Sequence, residues 1–442
     1  MPLRRTVLSF VAGACALCMG PGLAHAQPAP TVLREAVLDN GRDLAGFYEA
    51  RGWRSLWIAG DHVGPAAYEL LRQMRDADID GVKTKKLKLR NLERALDRAE
   101  SGDSEDLTRA ELALSKTYAA YVKAMRAAPR SEMQYETSAL QPVVPTTRAA
   151  LDAAAAAPSL EAWVSGMGWM NPNYAPLRNV LASGRFGRET EALLRLNLER
   201  IRAIPASQGR YVVVDAANAR LTMFEGGRAV DQMRVVVGKA DNQTPMMAGF
   251  LRYAQVNPYW NIPADLVRQR IATNVLDRGL GYLKTSGYQV LDSWDDNARV
   301  VNPSTIDWRA VADGRTEVRV RQLPGGDNFM GKVKFMFPNP QGIYLHDTPD
   351  KGLMLKDERQ FSSGCVRLED AARLGRWLMG KPLPTRLRQP EQRIDLPEIV
   401  PVYITYLTAT VTPRGEVAFA PDVYGRDAVR LASFGGGGGI GR

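Results

Sequence analysis

Cysteine and histidine are both scarce: the 442-residue chain has three of each. Residues 1–26 carry Arg4 and Arg5, a mostly apolar run from Thr6 to Leu23, and the small-x-small tripeptide Ala24-His25-Ala26. That is the pattern of a cleavable secretory signal, too short and wrongly flanked for a stable membrane span. Its removal takes away Cys15, Cys18 and His25 and leaves one cysteine, Cys365, with two histidines, His62 and His346. A single thiol excludes a disulfide framework within the mature chain, so the fold must rest on packing. Two histidines far apart and one cysteine also make a poor zinc site. Gly238-Lys239 followed by Thr244-Pro245 lacks the spacing of a phosphate-binding loop, which argues against a nucleotide site. Basic residues are dispersed and form no RNA- or DNA-binding motif, so no nucleic-acid partner is expected. No transmembrane segment is expected once the signal is gone.

Lys and Arg outnumber Asp and Glu by 58 to 48, a formal charge of +10 that falls to +8 without Arg4 and Arg5. This balance suits an exported protein working beside an anionic polymer, and it also serves plain solubility. Arg4-Arg5 is ordinary for a signal, and no lipoprotein box precedes Cys15 or Cys18. A soluble protein exported to a periplasm is therefore the expectation. In an oxidising compartment structural cysteines come in pairs, so one left over calls for a reactive role or deep burial.

Length and a hydrophobic content of 45% suffice for two domains. From residue 27 to 205 the period is helical. Leu107, Leu114, Tyr118, Tyr121 and Met125 line one face of a helix starting near Ser104, a plausible cap. Tyr68, Leu71, Met74 and Arg75 belong to a shorter helix ended by Asp80-Gly81, and Leu194, Leu198 and Ile201 to a third from about Glu189. Ala128 to Pro145, with three prolines, reads as an extended connection. After Pro205 the pattern changes to strands at Tyr211–Asp215, Leu221–Glu225 and Met233–Gly238. The fold class is thus α+β: a helical domain over 27–205, a β-rich domain over 206–427, and a Gly-rich flexible tail over 428–442. Residues from about 264 to 323 break the strand rhythm and read as an insertion that opens on a helix, Ala264 to Val275.

His346 and Cys365 are separated by eighteen residues, including a polar loop from Asp347 to Gln360. Two strand ends could meet across such a loop. A thiol becomes a strong nucleophile when a base or positive charge favours its thiolate, and imidazole titrates near neutrality. Gly364, directly before the cysteine, permits a tight turn that could aim the amides of Gly364 and Cys365 at a tetrahedral oxyanion. Against this, a lone buried cysteine is usually an inert small hydrophobe. The segment Glu369 to Met379 reads as a helix whose N-terminus would add some positive potential near the thiol.

The runs Tyr344-Leu345-His346-Asp347-Thr348-Pro349 and Ser362-Ser363-Gly364-Cys365-Val366-Arg367-Leu368 resemble the signature of L,D-transpeptidases with a YkuD-type catalytic domain. Gly331-Lys332-Val333-Lys334-Phe335-Met336-Phe337-Pro338-Asn339-Pro340 resembles the subgroup with a large helical scaffold before that domain. The resemblance covers residues 205–427 well and the first half loosely. It implies Cys365 as nucleophile and His346 as general base, with no cofactor and no metal. It also implies peptidoglycan stem peptides as substrates, carbapenem-type β-lactams as inhibitors, and the insertion folded as a cap over the active site. Tyr259-Trp260-Asn261 resembles the segment bordering the cleft, and could equally be a packed surface loop. The usual second histidine two residues before the cysteine is Ser363 here, so what fixes the tautomer of His346 is open. Tyr344 shares a strand face with His346 and could lend its hydroxyl or simply pack across strands. Arg367 could hold a substrate carboxylate or brace the loop, and bracing is the expectation. No clear copy of a separate peptidoglycan-binding module is present. Two other readings share these residues: an L,D-carboxypeptidase or cysteine amidase acting on stem peptides, and a wall-binding protein with a vestigial site.

Overall fold

Leucines and tyrosines spaced by sevens, fours and threes give the longest helix, Ser104–Arg126, one continuous apolar stripe. Leu107, Leu114, Tyr118, Tyr121 and Met125 are all buried on it. Its cap is Asp103 rather than Ser104: the Asp103 carboxylate accepts the amides of Glu105 and Asp106. The computed structural model describes residues 30–127, 131–295, 297–384 and 389–436. The signal expected at 1–26 lies outside the described residues. The helix Pro65–Arg75 stops earlier than Asp80-Gly81, and a 3-10 turn, Ala77–Asp80, completes the run to Gly81 at φ +68°. Arg188–Arg202 buries Leu194, Leu198 and Ile201 as expected.

One ion pair lies inside the helical half. Arg178 and Asp80 meet at 2.9 Å with both side chains wholly inaccessible, and Tyr121 and Tyr174 each donate a hydroxyl to the same carboxylate at 2.8 Å. Arg178 also donates to the Gln73 carbonyl. The pair ties the 3-10 turn to Ser104–Arg126 and to the helix Tyr174–Ala182.

The second half is built on eight strands: β1 (Tyr211–Asp215), β2 (Arg220–Glu225), β3 (Arg228–Gly238), β4 (Met247–Val256), β5 (Val333–Met336), β6 (Leu345–His346), β7 (Val366–Leu368) and β8 (Gln392–Thr405). Their pairing runs β5-β6-β7-β3-β2-β1-β8-β4, and β4 pairs back onto β5, so the strands close in a ring. β6 with β7 and β1 with β8 are parallel; the other pairs are antiparallel. Closure removes free edges, and the ring is filled by apolar residues such as Val214, Phe335, Leu345, Val366 and Val402. β8 is one long strand broken by an irregularity between Asp395 and Val400.

The two halves exchange pieces. Gln134–Tyr135, within the expected connection from 128 to 145, adds to β4 as a short parallel strand. In return the hairpin Ala409–Val411 with Val417–Phe419 sends Ala409 into the helical core, joined there by Leu407 just before it. The expected flexible tail is corrected over its first part: Arg426–Gly436 is helical. Asp422 caps it by accepting the amides of Asp427 and Ala428, and Asp427 makes a buried ion pair with Arg200 at 2.5 Å. Among the described residues no helix is long and apolar enough to cross a membrane.

Asp215 ends β1 and accepts the amides of Leu407 and Ala217 and the side-chain amide of Asn218. Burial, only partly offset by those bonds, raises its carboxyl to about 6. A carboxyl whose folded value is raised stabilises below its unfolded value and loses that contribution as pH climbs through the folded one. Asp215→Asn should therefore remove about 2–3 kcal/mol of stability loss between pH 4 and pH 6. Urea titrations of variant and parent at both pH values check this by difference.

Residues 260–322 form a separate layer. Trp260–Ile262, Tyr288–Leu291, Val300–Val301 and Arg319–Gln322 make a four-stranded antiparallel sheet with its own core, including Val267, Ile271, Val290, Trp308 and Val320. The expected helix from Ala264 is present and continues to Arg278, but its middle, Val267–Ala272, is a π-helix.

Candidate active site

The parallel register of β6 and β7 sets His346 beside Arg367 and Leu345 beside Val366. Period-two alternation then puts Leu345 and Val366 in the core of the ring, and Tyr344, His346 and Arg367 on the outer face. Lys334 of β5, the register partner of His346, joins that face. Tyr344 packs against the core of the inserted layer, so that layer lies over this face.

His346 is 1% exposed and stands edge-on to Tyr344 at 5.8 Å between centroids. Its Nδ1 is 2.6 Å from the carbonyl of Asp347. A carbonyl only accepts, so Nδ1 carries the proton and Nε2 keeps its lone pair. The carbonyl of the next residue thus fixes the tautomer that the sequence left open. Burial, reinforced by the charge of Arg367, lowers the imidazole to about 3. It is a neutral base throughout the physiological range.

Cys365 follows a turn in which Gly364 takes φ +114°. Burial pushes its thiol upward, while the Tyr344 amide and phenol and the charges of Arg367 and Lys334 act to lower it. In this resting geometry the sulfur donates to the Gly342 carbonyl at 3.6 Å, and among the described residues no hydrogen bond joins it to His346. Thiol and imidazole are both neutral, so the site holds a thiol awaiting a base rather than a preformed ion pair.

Several expectations need correcting. The Gly364 amide does not point at an oxyanion position: it donates to Ser362 Oγ at 3.1 Å, and Ser362 Oγ donates to the Cys365 carbonyl at 2.6 Å. The Cys365 amide has no acceptor among the described residues. Ser363 is exposed and makes no hydrogen bond there; its buried neighbour Ser362 shapes the turn. The expected bracing by Arg367 is not seen: among the described residues its guanidinium donates no hydrogen bond, and its Nε is buried without an acceptor. Trp260 is core of the inserted layer, its ring 4.8 Å from that of Phe329 and tilted at 40° to it. Tyr259 lies under Arg321 at 4.1 Å, with its carbonyl 3.5 Å from Lys334 Nζ, and Asn261 is exposed. The helix Ala371–Met379 is capped by Asp370, and β7 intervenes between it and Cys365. Its N-terminus is thus separated from the thiol by the strand and a cap residue, roughly 10 Å or more along the chain.

Residues missed by sequence reading hold the turn. Thr244 Oγ1 donates to the Gly364 carbonyl at 2.7 Å and accepts the Gly238 amide at 2.8 Å; the Tyr424 hydroxyl donates to the Gly238 carbonyl at 2.6 Å. Arg426 holds Gln243 and the Thr244 carbonyl at 3.0 Å each. Nothing in the spacing pointed to Thr244, some 120 residues upstream. Lys334, by contrast, had a local signal, as one of two lysines, with Lys332, that alternate with Val333 and Phe335. Thr244→Val keeps the shape but orphans two buried backbone groups, at a cost of about 1–3 kcal/mol. A lowered melting midpoint is expected for this variant, and an unchanged midpoint would show that the network is idle.

Comparison with known proteins follows the same division. Residues 209–404 match the family model of the L,D-transpeptidase catalytic domain, YkuD, and residues 42–181 match that of the scaffold domain. The chain therefore carries a YkuD-type L,D-transpeptidase catalytic domain behind a helical scaffold domain. A Haemophilus influenzae protein, named only provisionally as an L,D-transpeptidase, is 32% identical over 241 residues, 53% of this chain and 48% of its own. The chain thus matches about half the length of that relative. Two solved structures share 11% identity with it. One is an L,D-transpeptidase from Mycobacterium smegmatis, at TM-score 0.23 over 44% of this chain and 58% of that one. The other is the Ldtfm-avibactam carbamoyl enzyme, at TM-score 0.21 over 46% and 51%.

Proposed function

We propose that the chain is a peptidoglycan L,D-transpeptidase acting through an acyl-enzyme on Cys365. The observation that carries this is the β6–β7 pairing, which gathers a tautomer-fixed neutral imidazole, the only free thiol among the described residues, and two cationic side chains beneath one inserted layer. Donor binding turns the sulfur from Gly342 toward His346. Sγ then attacks the carbonyl carbon of the third stem residue, and its proton passes to Nε2 of His346. The Cys365 amide and the Tyr344 hydroxyl are the donors for the oxyanion. Collapse breaks the amide bond, the imidazolium returns its proton to the amine, and D-Ala leaves. A side-chain amine of a second stem attacks the thioester, gives its proton to His346, and releases the thiol with the cross-link formed.

The layer over Tyr344 excludes the water that would hydrolyse the thioester. Export to the periplasm, a role in cell-wall biogenesis and inhibition by carbapenem-type β-lactams belong to the same reading. Incubation of the mature chain with tetrapeptide muropeptides tests it by mass spectrometry. Cross-linked dimers with loss of D-Ala are expected, whereas monomeric tripeptide as the only product would make the chain a carboxypeptidase.

A further inference from the structure

Two guanidiniums, Arg367 two residues from the thiol and Arg270 on the inserted layer, have no acidic hydrogen-bond partner among the described residues. Arg367 makes no ion pair with Asp350, the acid whose charge it feels most, and its Nε is buried without an acceptor. Arg270 comes from the inserted layer, on the π-helical turn Val267–Ala272, and lies close enough to Arg367 for their charges to repel. Its side chain is exposed and rests on Phe329 at 5.4 Å, with Phe329 in turn held by Trp260. Neither guanidinium has a hydrogen-bond acceptor among the described residues. The third cation, Lys334, does have one: Glu391 at 3.3 Å.

A protein gains nothing by holding two unpaired guanidiniums together unless an anion joins them. Guanidinium matches carboxylate in shape, and two can grip one group from both sides. A π-helical turn shifts the following side chains off the α-helical pattern and is often found at functional positions. Arg367 is the register partner of His346 and sits two residues from Cys365, so an anion held there lies within a residue or so of the scissile bond. From these observations we propose that Arg270 and Arg367 form a carboxylate clamp for the donor stem peptide, with one jaw on the ring and one on the inserted layer. The proposal rests on the transpeptidase reading for its ligand. Two carboxylates of a stem peptide lie close enough to the reacting carbonyl: the terminal one of D-Ala and one on the side chain of the third residue. Binding either one also draws the inserted layer down over the thioester.

Calorimetric titration of the mature Cys365→Ala chain with tetrapeptide separates binding from turnover. Three donors are compared: both carboxylates free, the terminal one amidated, and the side-chain one amidated. The clamp predicts that amidation of one of them weakens binding about 10- to 100-fold. It further predicts that Arg270→Gln costs a similar factor with the free donor and almost nothing with that amidated donor, that Arg270→Lys recovers part of the loss, and that the melting midpoint stays unchanged. Which amidation matters identifies the carboxylate. Donors bound equally with and without their carboxylates, or undisturbed by Arg270→Gln, overturn the clamp and leave the transpeptidase reading standing. A chain that binds no stem peptide overturns both.

Discussion

Replacing His346 with glutamine should slow acylation of Cys365 by a carbapenem by about two to four orders of magnitude, the usual contribution of a positioned general base. Glutamine keeps much of the volume and can still donate to the Asp347 carbonyl, so the melting midpoint should change little. The parent enzyme should show a distinctive pH profile. Because burial holds the imidazole near 3 and the thiol above its ordinary value, the pair is neutral from pH 5 to 7.5. The acylation rate should be nearly flat across that range, with its acid limb far below the 6.5 of ordinary imidazole. A half-maximal rate near pH 6.5 would mean that His346 is solvated when it reacts. The same shift affects stability: below 6.5 the unfolded chain binds a proton that the native His346 refuses, so this group lowers stability as pH falls. That trend opposes the one from Asp215, which is why the Asp215 test is read as a difference between variant and parent.

The second large effect lies far from the thiol. Asp80→Ala removes the only carboxylate paired with Arg178 in a region closed to water, and leaves the Tyr121 and Tyr174 hydroxyls without their acceptor. Breaking one side of such a pair costs about 3–5 kcal/mol, because the surviving charge stays buried. A urea midpoint shifted by that amount is expected. Replacing both partners with apolar residues, Asp80→Leu with Arg178→Met, should restore much of the loss, since the pair itself stabilises little over a well-packed apolar substitute. If Asp80→Ala alone were nearly neutral, water must reach Arg178.

What could be read from the residues, and what could not, follows from the range of the interactions. Helices with a strong stripe, such as Ser104–Arg126 and Arg188–Arg202, were legible because burial repeats every turn. The change of period after Pro205 marked the β-rich half, and the scarcity of cysteine and histidine singled out Cys365 and His346. Ring closure was not legible, because pairing of β4 with β5 joins segments some eighty residues apart and leaves no local signal. The same holds for Thr244, Tyr424 and Arg426, which hold the nucleophile turn from distant parts of the chain. Gly364 was read correctly as a turn residue, but its amide was misassigned: only coordinates reveal that Ser362 takes it. The part of the helix Arg426–Gly436 from residue 428 on was mistaken for tail because Gly435 onward suggested flexibility, while the signals that make a helix, a capping Asp422 and the Arg200–Asp427 pair, depend on tertiary contact.

The central claim is that Cys365 is an activated nucleophile served by His346. Intact-mass spectrometry of the mature chain after exposure to a carbapenem tests it most directly, because ring opening joins the whole inhibitor to sulfur with nothing lost. A single added inhibitor mass, mapped to Cys365, absent in Cys365→Ala and strongly delayed in His346→Gln, is the predicted result. A chain that stays unmodified while its fold is intact, or is modified as quickly without His346, would contradict the account.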